Sequence, residues 1–302
     1  LNAKYRRILT GFPITQSPLD LYSQTEVLSP SLLGFTSFYS FQNHYGQVVK
    51  RHFGARSFRQ VVGYQNLEEL SERVDRFSYR VLKKECLDLP DKVYLRREVE
   101  LTPEQKKVYG ELKEYAIAEL GEMEQVSVNN VLTQMLRLHQ VVCGYTKTDE
   151  GTEIPIENNR IDELINVIGE MRGKVIIWAN YRHNIKEIVE TMQELGGPDC
   201  VAGYYGDTSD EERERVIERF QDPDSELRYF VGNTQTGGYG ITLTQAQNVI
   251  YYSNNFDLEK RLQSEDRAHR IGQENKVTYV DLVAPKTVDE NIVKALRNKL
   301  DL

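Results

Sequence analysis

The sequence predicts an α/β fold in which a parallel sheet is flanked by helices and is preceded by a mostly helical segment. From residue 160 onward, short apolar segments alternate with amphipathic helical patterns, and this alternation is typical of a parallel sheet covered on both faces. Before residue 89 the alternation is absent. A chain of 302 residues also has room for about two domains. We therefore expect one domain in residues 1–88 and another in residues 89–302.

The first part of the chain is expected to be mostly helical from Asp20 to about Lys84, with irregular breaks at prolines and glycines. Ahead of it, the run Leu9-Thr10-Gly11-Phe12-Pro13 is typical of a strand that ends in a glycine and proline turn. The break Leu89-Pro90-Asp91-Lys92 marks the boundary between the two domains.

Two helices are predicted near 102–145, and we interpret them as a helical insertion in the second domain. The first begins with a Thr102 cap, a proline at the first helical position and Gln105 to complete a capping box. The second is capped by Ser127 and ends at Gly144.

The alternating region begins after a polar loop from 147 to 159. Strands are expected at the apolar segments Lys174–Ala179, Val201–Tyr205, Arg228–Gly232, Val249–Tyr252 and Val277–Val283. Helices are expected at 160–168, 185–196 and 209–220, after Asp257 and after Thr287. Ser209 with Glu212, and Thr287 with Glu290, have the spacing of capping boxes. The pairs Asp162-Glu163 and Asp289-Glu290 are interpreted as helix caps, not as metal ligands.

The charge distribution excludes a general cationic coat, because 38 Lys and Arg against 46 Asp and Glu give a net charge of −8. Between Glu26 and Glu68, however, there is no acidic residue. This interval interleaves aromatic residues with the four cations Lys50, Arg51, Arg56 and Arg59. Such a local patch suits a phosphate backbone. The residues alone are equally compatible with a solvated helical face over a small aromatic core.

The remaining composition bears on cellular location. No apolar run approaches the roughly 18 residues of a spanning helix, so no membrane partner is expected. No signal peptide opens the chain. The three cysteines are odd in number and far apart, which argues against disulfides and predicts an intracellular, cytoplasmic protein. Because the chain starts at Leu1 and soon turns apolar, we interpret it as a piece of a longer protein.

Three segments are expected at the carboxyl ends of strands, where parallel sheets bind ligands, and the run Leu9–Pro13 described above is one of them. The glycine-rich run Asn233–Gly240 follows a strand and could bring backbone close to a phosphate, or it could be only a tight connection. Arg267 and Arg270 are three residues apart and would share one helix face, which suits a transferring phosphoryl group. Surface salt bridges with Glu265 and Asp266 are the alternative. His269 is interpreted as a structural hydrogen-bonding residue.

Half of a phosphoryl-transfer site is missing from the sequence. No G-x-x-x-x-G-K-[S/T] loop is present to hold the β- and γ-phosphates. No apolar strand ends in an acidic pair that could hold Mg²⁺. No metal site is therefore predicted in this chain.

Taken in order, these segments resemble the motifs of the Swi/Snf-type ATPases of helicase superfamily two. Arg7–Ile14 is similar to motif III, and Pro18–Tyr22 matches its usual continuation. Val175–Trp178 is similar to motif IV, and Thr234–Gly240 is similar to motif V. Asp266–Gln273 is nearly a verbatim motif VI and is the most specific signal. The resemblance covers practically all 302 residues.

The resemblance implies that residues 89–302 form the second RecA-like helicase lobe. It implies that residues 1–88 are the tail of the first lobe, with a helical insertion. Arg267 and Arg270 would be arginine fingers that reach ATP held, with Mg²⁺, by the missing first lobe. The chain would then be the C-terminal part of an ATP-dependent double-stranded DNA translocase. By itself it would be inactive as an ATPase. The resemblance is also compatible with a protein or nucleoprotein target.

Further roles follow from the same resemblance. The residues implied near the nucleotide are Gly238, Gly240 and Gln263, the last holding motif VI in place. Those implied in the coupling motif are Thr10, Gly11 and Pro13. Those implied in nucleic-acid binding are Thr234, Asn180 and Arg182, together with Lys50, Arg51, Arg56 and Arg59 of the acid-free segment.

The sequence also departs from the family pattern. Phe12 replaces the usual Thr of motif III. Ser253, Phe256, Asp257 and Leu258 stand where Asp, Trp, Asn and Pro are usual. Such variation recurs in bacterial and viral members and favours a prokaryotic or phage origin. Two other functions remain open: a stand-alone nucleic-acid-binding or partner-binding module, and part of a strand-separating helicase.

Overall fold

The computed structural model describes residues 3–53, 56–122, 128–148, 150–237 and 240–300. The chain divides into two compact units, the first ending at Cys86 and the second beginning at Leu87. In the described part of the chain, no helix is both long and apolar enough to cross a membrane.

Unit 1 combines short helices with one antiparallel hairpin. Its elements are α1 (Asp20–Leu28), α2 (Phe38–Tyr45), β1 (Gly46–Phe53), β2 (Arg56–Tyr64), α3 (Leu67–Asp75) and α4 (Lys83–Cys86). Phe41, Tyr45 and Leu70 are buried at its core, and Val61 of the hairpin packs against them. The core therefore holds the base of the hairpin against α2 and α3.

The prediction of a mostly helical segment is wrong for residues 46–53 and 56–64, which are the paired strands β1 and β2 of a hairpin. The β-branched residues Val48, Val49, Val61 and Val62 favour strands over helices. Gly46 allows the chain to leave α2 for β1, because a Cβ there would lie 2.7 Å from the carbonyl oxygen of Gln42.

The strand predicted to end at Thr10 is also absent. Residues 3–19 contain no strand, and the Leu9 side chain is 97% exposed. A strand needs a neighbour whose backbone completes its ladder of hydrogen bonds, and the described residues supply none to this segment. The apolar residues alone therefore do not make it a strand.

Unit 2 contains a six-stranded, all-parallel sheet with the strand order β3-β10-β9-β6-β8-β7. Its strands are β3 (Lys92–Glu98), β6 (Lys174–Trp178), β7 (Val201–Tyr204), β8 (Tyr229–Gly232), β9 (Ala246–Tyr251) and β10 (Val277–Val283), and a separate small hairpin is formed by β4 (Tyr145–Lys147) and β5 (Glu153–Pro155). Its helices are α5 (Pro103–Glu122), α6 (Val128–Val142), α7 (Arg160–Gly169), α8 (Arg182–Gly196), α9 (Asp210–Gln221), α10 (Thr234–Gly237), α11 (Leu258–Ala268) and α12 (Val288–Leu300). The predicted parallel sheet flanked by helices is confirmed.

Alternate residues of the central strand β6 enter two different cores. Val175 and Ile177 pack in the core that includes residues of α7 and α8. Ile176 and Trp178 pack in the core that includes Phe220 of α9. Because strand side chains alternate between faces, the fully apolar β6 shows that both faces of the sheet are covered.

Three strands of unit 2, β3, β4 and β5, and the short helix α10 were not expected from the sequence. β3 was overlooked because its charged residues give no apolar run, and it lies at the sheet edge, paired only with β10. The hairpin of β4 and β5 replaces part of the loop predicted for 147–159. Three-residue strands are too short for a periodic signal.

The predicted helix caps are confirmed in two cases and corrected in one. Gln105 and Thr102 exchange the two hydrogen bonds of a capping box, each of 3.1 Å, and Ser209 Oγ accepts from the Glu212 N–H. Ser127 lies outside the described residues. At α12 the reciprocal box is absent, because the Glu290 carboxylate accepts from the Lys286 N–H.

Candidate functional site

Three loops meet at the carboxyl edge of the sheet, and Asn180 joins them. Its backbone carbonyl accepts from Asn233 Nδ2 (2.8 Å) in the loop after β8. Its backbone N–H donates to Ser253 Oγ (2.8 Å), and its side-chain oxygen accepts from Asn255 Nδ2 (3.4 Å), both after β9. Since β6 lies between β8 and β9, Asn180 cross-links the ends of three adjacent strands.

The other residues predicted to contact DNA at this edge differ in exposure. Arg182 opens α8, is exposed, and pairs with Asp207 (2.8 Å). Thr234 opens α10 and is only 8% exposed, so its side chain offers little surface to a ligand in this conformation. Asn233 caps this short helix, because its Oδ1 accepts from the Gln235 N–H (2.7 Å). Gly238 lies outside the described residues.

Gly240 follows α10 and has a backbone φ of +76°, a conformation that favours glycine. A Cβ at this position would meet no atom within 4 Å. The positive φ, and not crowding, therefore accounts for glycine here.

Arg267 and Arg270 do not share a helix face, because α11 ends at Ala268 and Arg270 lies beyond it. His269 caps the helix, and Gly272, with φ of +95°, continues the turn. The two side chains nevertheless reach neighbouring residues of one loop. Arg267 Nη1 donates to the Ile241 carbonyl (3.1 Å), and Arg270 Nη1 donates to Thr242 Oγ1 (3.3 Å).

The two guanidinium groups are close enough to affect each other electrostatically. Burial, and next the positive charge of Arg270, lower the pKa of Arg267. Arg267 is half-buried, and its Nε donates to the Gln263 carbonyl (2.9 Å). Arg270 is exposed and has N–H groups available to an anion. The fold thus gathers two cations, and the neighbouring Asp266 carboxylate partly offsets the effects of burial and of Arg270 by raising the pKa of Arg267.

These arginines do not lie at the carboxyl edge, where they were expected. Helix α11 starts after the carboxyl end of β9 and runs back along the sheet for 11 residues, about 16 Å. Its C-terminal end therefore lies by the amino ends of the strands. Gln273 confirms this position, since its Nε2 donates to the carbonyl of Ala246, the first residue of β9. The candidate DNA-contacting and phosphate-contacting residues are consequently separated.

Arg261 is a buried residue of α11 that the sequence interpretation missed. Its Nε donates to Glu265 Oε1 (2.8 Å), and its Nη1 donates to Asn254 Oδ1 (2.8 Å) and Asp281 Oδ1 (2.5 Å). Its guanidinium carbon lies 3.5 Å from the centroid of the Tyr251 ring. The i,i+4 spacing of Arg261 and Glu265 was the available signal. Arg261 thereby fixes α11 to β9 and β10.

Glu265, predicted as a surface partner of the arginines, is instead buried. Burial alone would raise the pKa of its carboxyl, but the charges of Arg261 and Lys92 hold this pKa below its usual value. Glu265 is thus an ionised link between α11 and the start of β3.

The backbone of Gln263 contacts Arg267, whereas its side chain contacts Glu259. Its carbonyl accepts from Arg267, and its Nε2 donates to Glu259 Oε1 (2.8 Å). Its buried Oε1 has no hydrogen-bond partner within the ranges that the structure describes. No group of three or more His, Cys, Asp or Glu side chains in those ranges is arranged to hold a metal ion.

The cations of the acid-free segment lie on or at the hairpin of unit 1. Lys50 and Arg59 are directly opposite each other, so they share one face of the hairpin. Arg51 follows Lys50 and lies on the other face, where its Nε donates to Gln60 Oε1 (3.2 Å). Arg59 contacts Asn43 of α2. Arg56 opens β2, and its side chain lies outside the described residues.

The coupling segment predicted around Thr10 is exposed and bonded mainly to itself and α1. Thr10 Oγ1 accepts from the Phe12 N–H (3.1 Å). The Pro13 carbonyl accepts from Gln24 Nε2 (2.7 Å) of α1. Gly11 has open space on its Cβ side. Asp20 was missed by the sequence interpretation, and its Oδ2 accepts from three consecutive backbone N–H groups at residues 15–17.

Comparison with known proteins matches both halves of the chain. The SNF2-related domain matches residues 1–146, and the helicase conserved C-terminal domain matches residues 158–272. A Mycoplasma pneumoniae ATP-dependent helicase is 28% identical over 97% of this chain and 27% of its own length. The Schizosaccharomyces pombe chromatin structure-remodeling complex subunit snf21 is 26% identical over the whole chain and 26% of its own length.

A solved structure extends this similarity to the fold. The Sulfolobus solfataricus SWI2/SNF2 ATPase core in complex with double-stranded DNA has 26% sequence identity and a TM-score of 0.56. The similarity covers 97% of this chain and 60% of that one. These matches confirm the resemblance of this chain to the Swi/Snf-type ATPases of helicase superfamily two.

The parallel sheet of unit 2 matches the RecA-like lobe of solved SWI2/SNF2 ATPase structures. The chain spans about a quarter of the length of the two relatives named above. The segment Asp266–Gln273 bridges the end of α11 and the turn before β10, and it carries both candidate phosphate-contacting arginines, Arg267 and Arg270.

Proposed function

We propose that this chain supplies the second RecA-like lobe, and the end of the first, of an ATP-dependent double-stranded DNA translocase. Residues 89–302 would be the second lobe, and residues 1–88 would be the end of the first lobe with its insertion. The observation that carries the proposal is the convergence of Arg267 and Arg270 on the adjacent residues Ile241 and Thr242. Two neighbouring cations suit the spread negative charge of a transferring phosphoryl group.

The residues present fit one side of an ATP site. Arg270 is exposed and offers guanidinium N–H groups, while Arg267 is oriented by two backbone carbonyls. ATP supplies a γ-phosphoryl group that develops charge during transfer to water. Arg267 and Arg270 would stabilise that charge, and Gly238, Gly240 and Gln263 would lie near the nucleotide. Because the phosphate loop and the acidic Mg²⁺ ligands are absent from this sequence, they belong in this proposal to an upstream lobe.

DNA would be held through its phosphates at other places. At the carboxyl edge of the sheet, the exposed Arg182 and the turn from Asn180 that carries it would contact the DNA backbone, whereas Thr234 is buried in this conformation. In unit 1, the hairpin adds cations in a region that has no carboxylate between Glu26 and Glu68. Contacts to phosphates give no base specificity. They suit movement along a duplex of any sequence.

The test is ATP hydrolysis by the full-length protein that contains this chain, measured with duplex DNA, single-stranded DNA, RNA or no nucleic acid. We expect strong stimulation by duplex DNA and a loss of about 10³-fold or more in kcat for Arg270→Ala. Arg172→Ala is the matched control, because Arg172 is an exposed arginine in the loop before β6, outside both residue groups. The 302-residue chain alone should release no phosphate.

Each other outcome contradicts a distinct part of the proposal. Stimulation by RNA or single strands alone would favour a strand-separating helicase. Hydrolysis that survives Arg270→Ala would remove the arginine-finger role. The absence of hydrolysis in every condition would leave a nucleic-acid-binding or partner-binding module.

A further inference from the structure

The segment that connects the two units touches the end of α11. This linking segment, residues 87–92, is the first part of unit 2 and follows Cys86 directly. The Pro90 carbonyl oxygen lies 2.7 Å from His269 Nε2. Lys92 Nζ lies 3.0 Å from Glu265 Oε2 and 3.8 Å from Asp266 Oδ1. The linking segment is therefore attached to Asp266 and His269 of motif VI and to Glu265, the residue directly before it.

The contact between Pro90 and His269 determines which imidazole nitrogen carries the proton. A backbone carbonyl can only accept a hydrogen bond, so His269 Nε2 carries the proton and donates it. An imidazole held in this way is positioned as a structural donor, in agreement with the sequence interpretation of His269. Its backbone N–H also donates to the Glu265 carbonyl (3.1 Å), which closes the last turn of α11.

Glu265 joins the linking segment to the buried Arg261 cluster. Its Oε1 accepts from Arg261, while its Oε2 accepts from Lys92 and from the Tyr94 hydroxyl (2.7 Å). Both carboxylate oxygens are thus used, Oε1 by Arg261 of α11 and Oε2 by Lys92 and Tyr94 of β3. A shift of the linking segment therefore acts on α11 through two routes, His269 and Glu265.

His269 lies between Arg267 and Arg270 in the chain. Arg267 is on the last turn of the helix, and Arg270 is the second residue beyond it. The backbone that carries both guanidinium groups is consequently held by the Pro90 carbonyl. Small displacements at this point matter, because misplacing a catalytic group by about 1 Å can lower a rate on the order of 100-fold.

We propose that His269 is a positioning residue that couples the linking segment to the two arginines, so that the path of the chain between the units sets the placement of Arg267 and Arg270. The proposal rests on the arginine-finger role proposed above. It adds that residues 87–92 help to place the two arginines, besides joining one unit to the other in the chain.

The test compares His269→Leu with His269→Gln in the full-length protein. Leu removes the donor, whereas Gln retains an N–H at a similar reach. We expect His269→Leu to lower the kcat of duplex-stimulated ATP hydrolysis on the order of 10–100-fold, with the KM for ATP and the melting temperature nearly unchanged. His269→Gln should recover most of the rate. Lys276→Ala is the control, because it breaks the exposed pair of Lys276 with Asp91 (3.5 Å) without touching α11.

A second comparison asks whether His269 acts through the arginines. In an Arg270→Ala background, His269→Leu should cause little further loss, because groups that act as a unit are not additive. A wild-type kcat for His269→Leu, or equal losses for Leu and Gln with a lower melting temperature, would overturn the proposal while Arg270→Ala still loses activity. If Arg270→Ala itself keeps full activity, the proposed function fails instead.

Discussion

At the residue scale, the interior of unit 2 holds an ion pair whose two residues would be taken for surface residues from the sequence. Arg160 and Asp289 are completely buried, and Arg160 Nη2 donates to Asp289 Oδ2 (2.6 Å). Although burial alone would raise the pKa of Asp289, Arg160 and His139 hold it well below its usual value. The interpretation of Asp289 as a helix cap is therefore incomplete, because this carboxylate chiefly neutralises a buried arginine.

His139 adds a pH-dependent contribution to this cluster. Burial by itself lowers the pKa of His139, but Cys143 and Asp289 raise it to about 9. The charged imidazole lies 3.5 Å from Asp289, and its Nδ1 lies 2.7 Å from the Tyr181 hydroxyl. Because an unfolded His titrates near pH ~6.5, the stabilisation is complete below that pH. It is lost as the pH rises from about 6.5 through about 9.

We expect His139→Gln to remove this pH dependence. Urea unfolding free energies measured at pH 6.5 and pH 9.5 should show the wild type losing more stability than the variant over that interval. The difference should reach up to about 3 kcal/mol. Groups that are not in contact with His139 titrate in the same way in both proteins, so parallel pH profiles would contradict the raised pKa of His139.

At the element scale, the hairpin of unit 1 places like charges opposite each other. Lys50 and Arg59 are direct cross-strand partners, and such pairs destabilise a hairpin in isolation. The repulsion between Lys50 and Arg59 destabilises the hairpin less when a polyanion lies against the face that carries them. This feature supports the proposal of a phosphate backbone as the partner, and it arises only because the segment is a hairpin and not the predicted helix.

We expect the double variant Lys50→Ala, Arg59→Ala to weaken duplex DNA binding by this chain. If each cation neutralises one phosphate, the slope of log affinity against log salt should fall in magnitude by about 2. Fluorescence anisotropy with a labelled duplex at several salt concentrations measures it. The control is Arg172→Ala, Arg215→Ala, which removes two exposed cations elsewhere. An equal change in both proteins would show only an effect of net charge.

At the scale of the whole molecule, each hydrophobic core formed by the described residues lies within a single unit. The core around Phe41 and Tyr45 uses only residues of unit 1. The cores on the two faces of the sheet, and the one between α6 and α12, use only residues of unit 2. A unit that buries its own core has the main requirement for independent folding.

We therefore expect residues 87–302 to fold without unit 1. Urea unfolding followed by circular dichroism and by tyrosine fluorescence should give one cooperative transition, with coincident midpoints. The fragment retains the contacts of Pro90 and Lys92 with α11, so its motif VI keeps its anchor. Separate transitions for the two probes would show that the sheet needs unit 1.

The sequence alone determined the fold class of unit 2 and the order of its main strands and helices along the chain. Apolar strands such as Val175–Trp178 are buried on both faces and need no particular partner to be recognised. Capping residues such as Ser209 act over three positions, so their effect can be predicted locally. Motif VI was recognisable for a similar reason, since its eight residues are contiguous.

Only the tertiary structure decided where the functional side chains lie. The pairing of β1 with β2, the edge strand β3 and the end of α11 at Ala268 depend on backbone partners and turns outside any short window. Arg267 and Arg270 converge on Ile241 and Thr242, about 26–28 residues earlier in the chain, and His269 reaches Pro90, 179 residues away. Long-range hydrogen bonds and ion pairs leave no periodic trace in a sequence, because their spacing is set by the path of the chain and not by a helix or strand repeat.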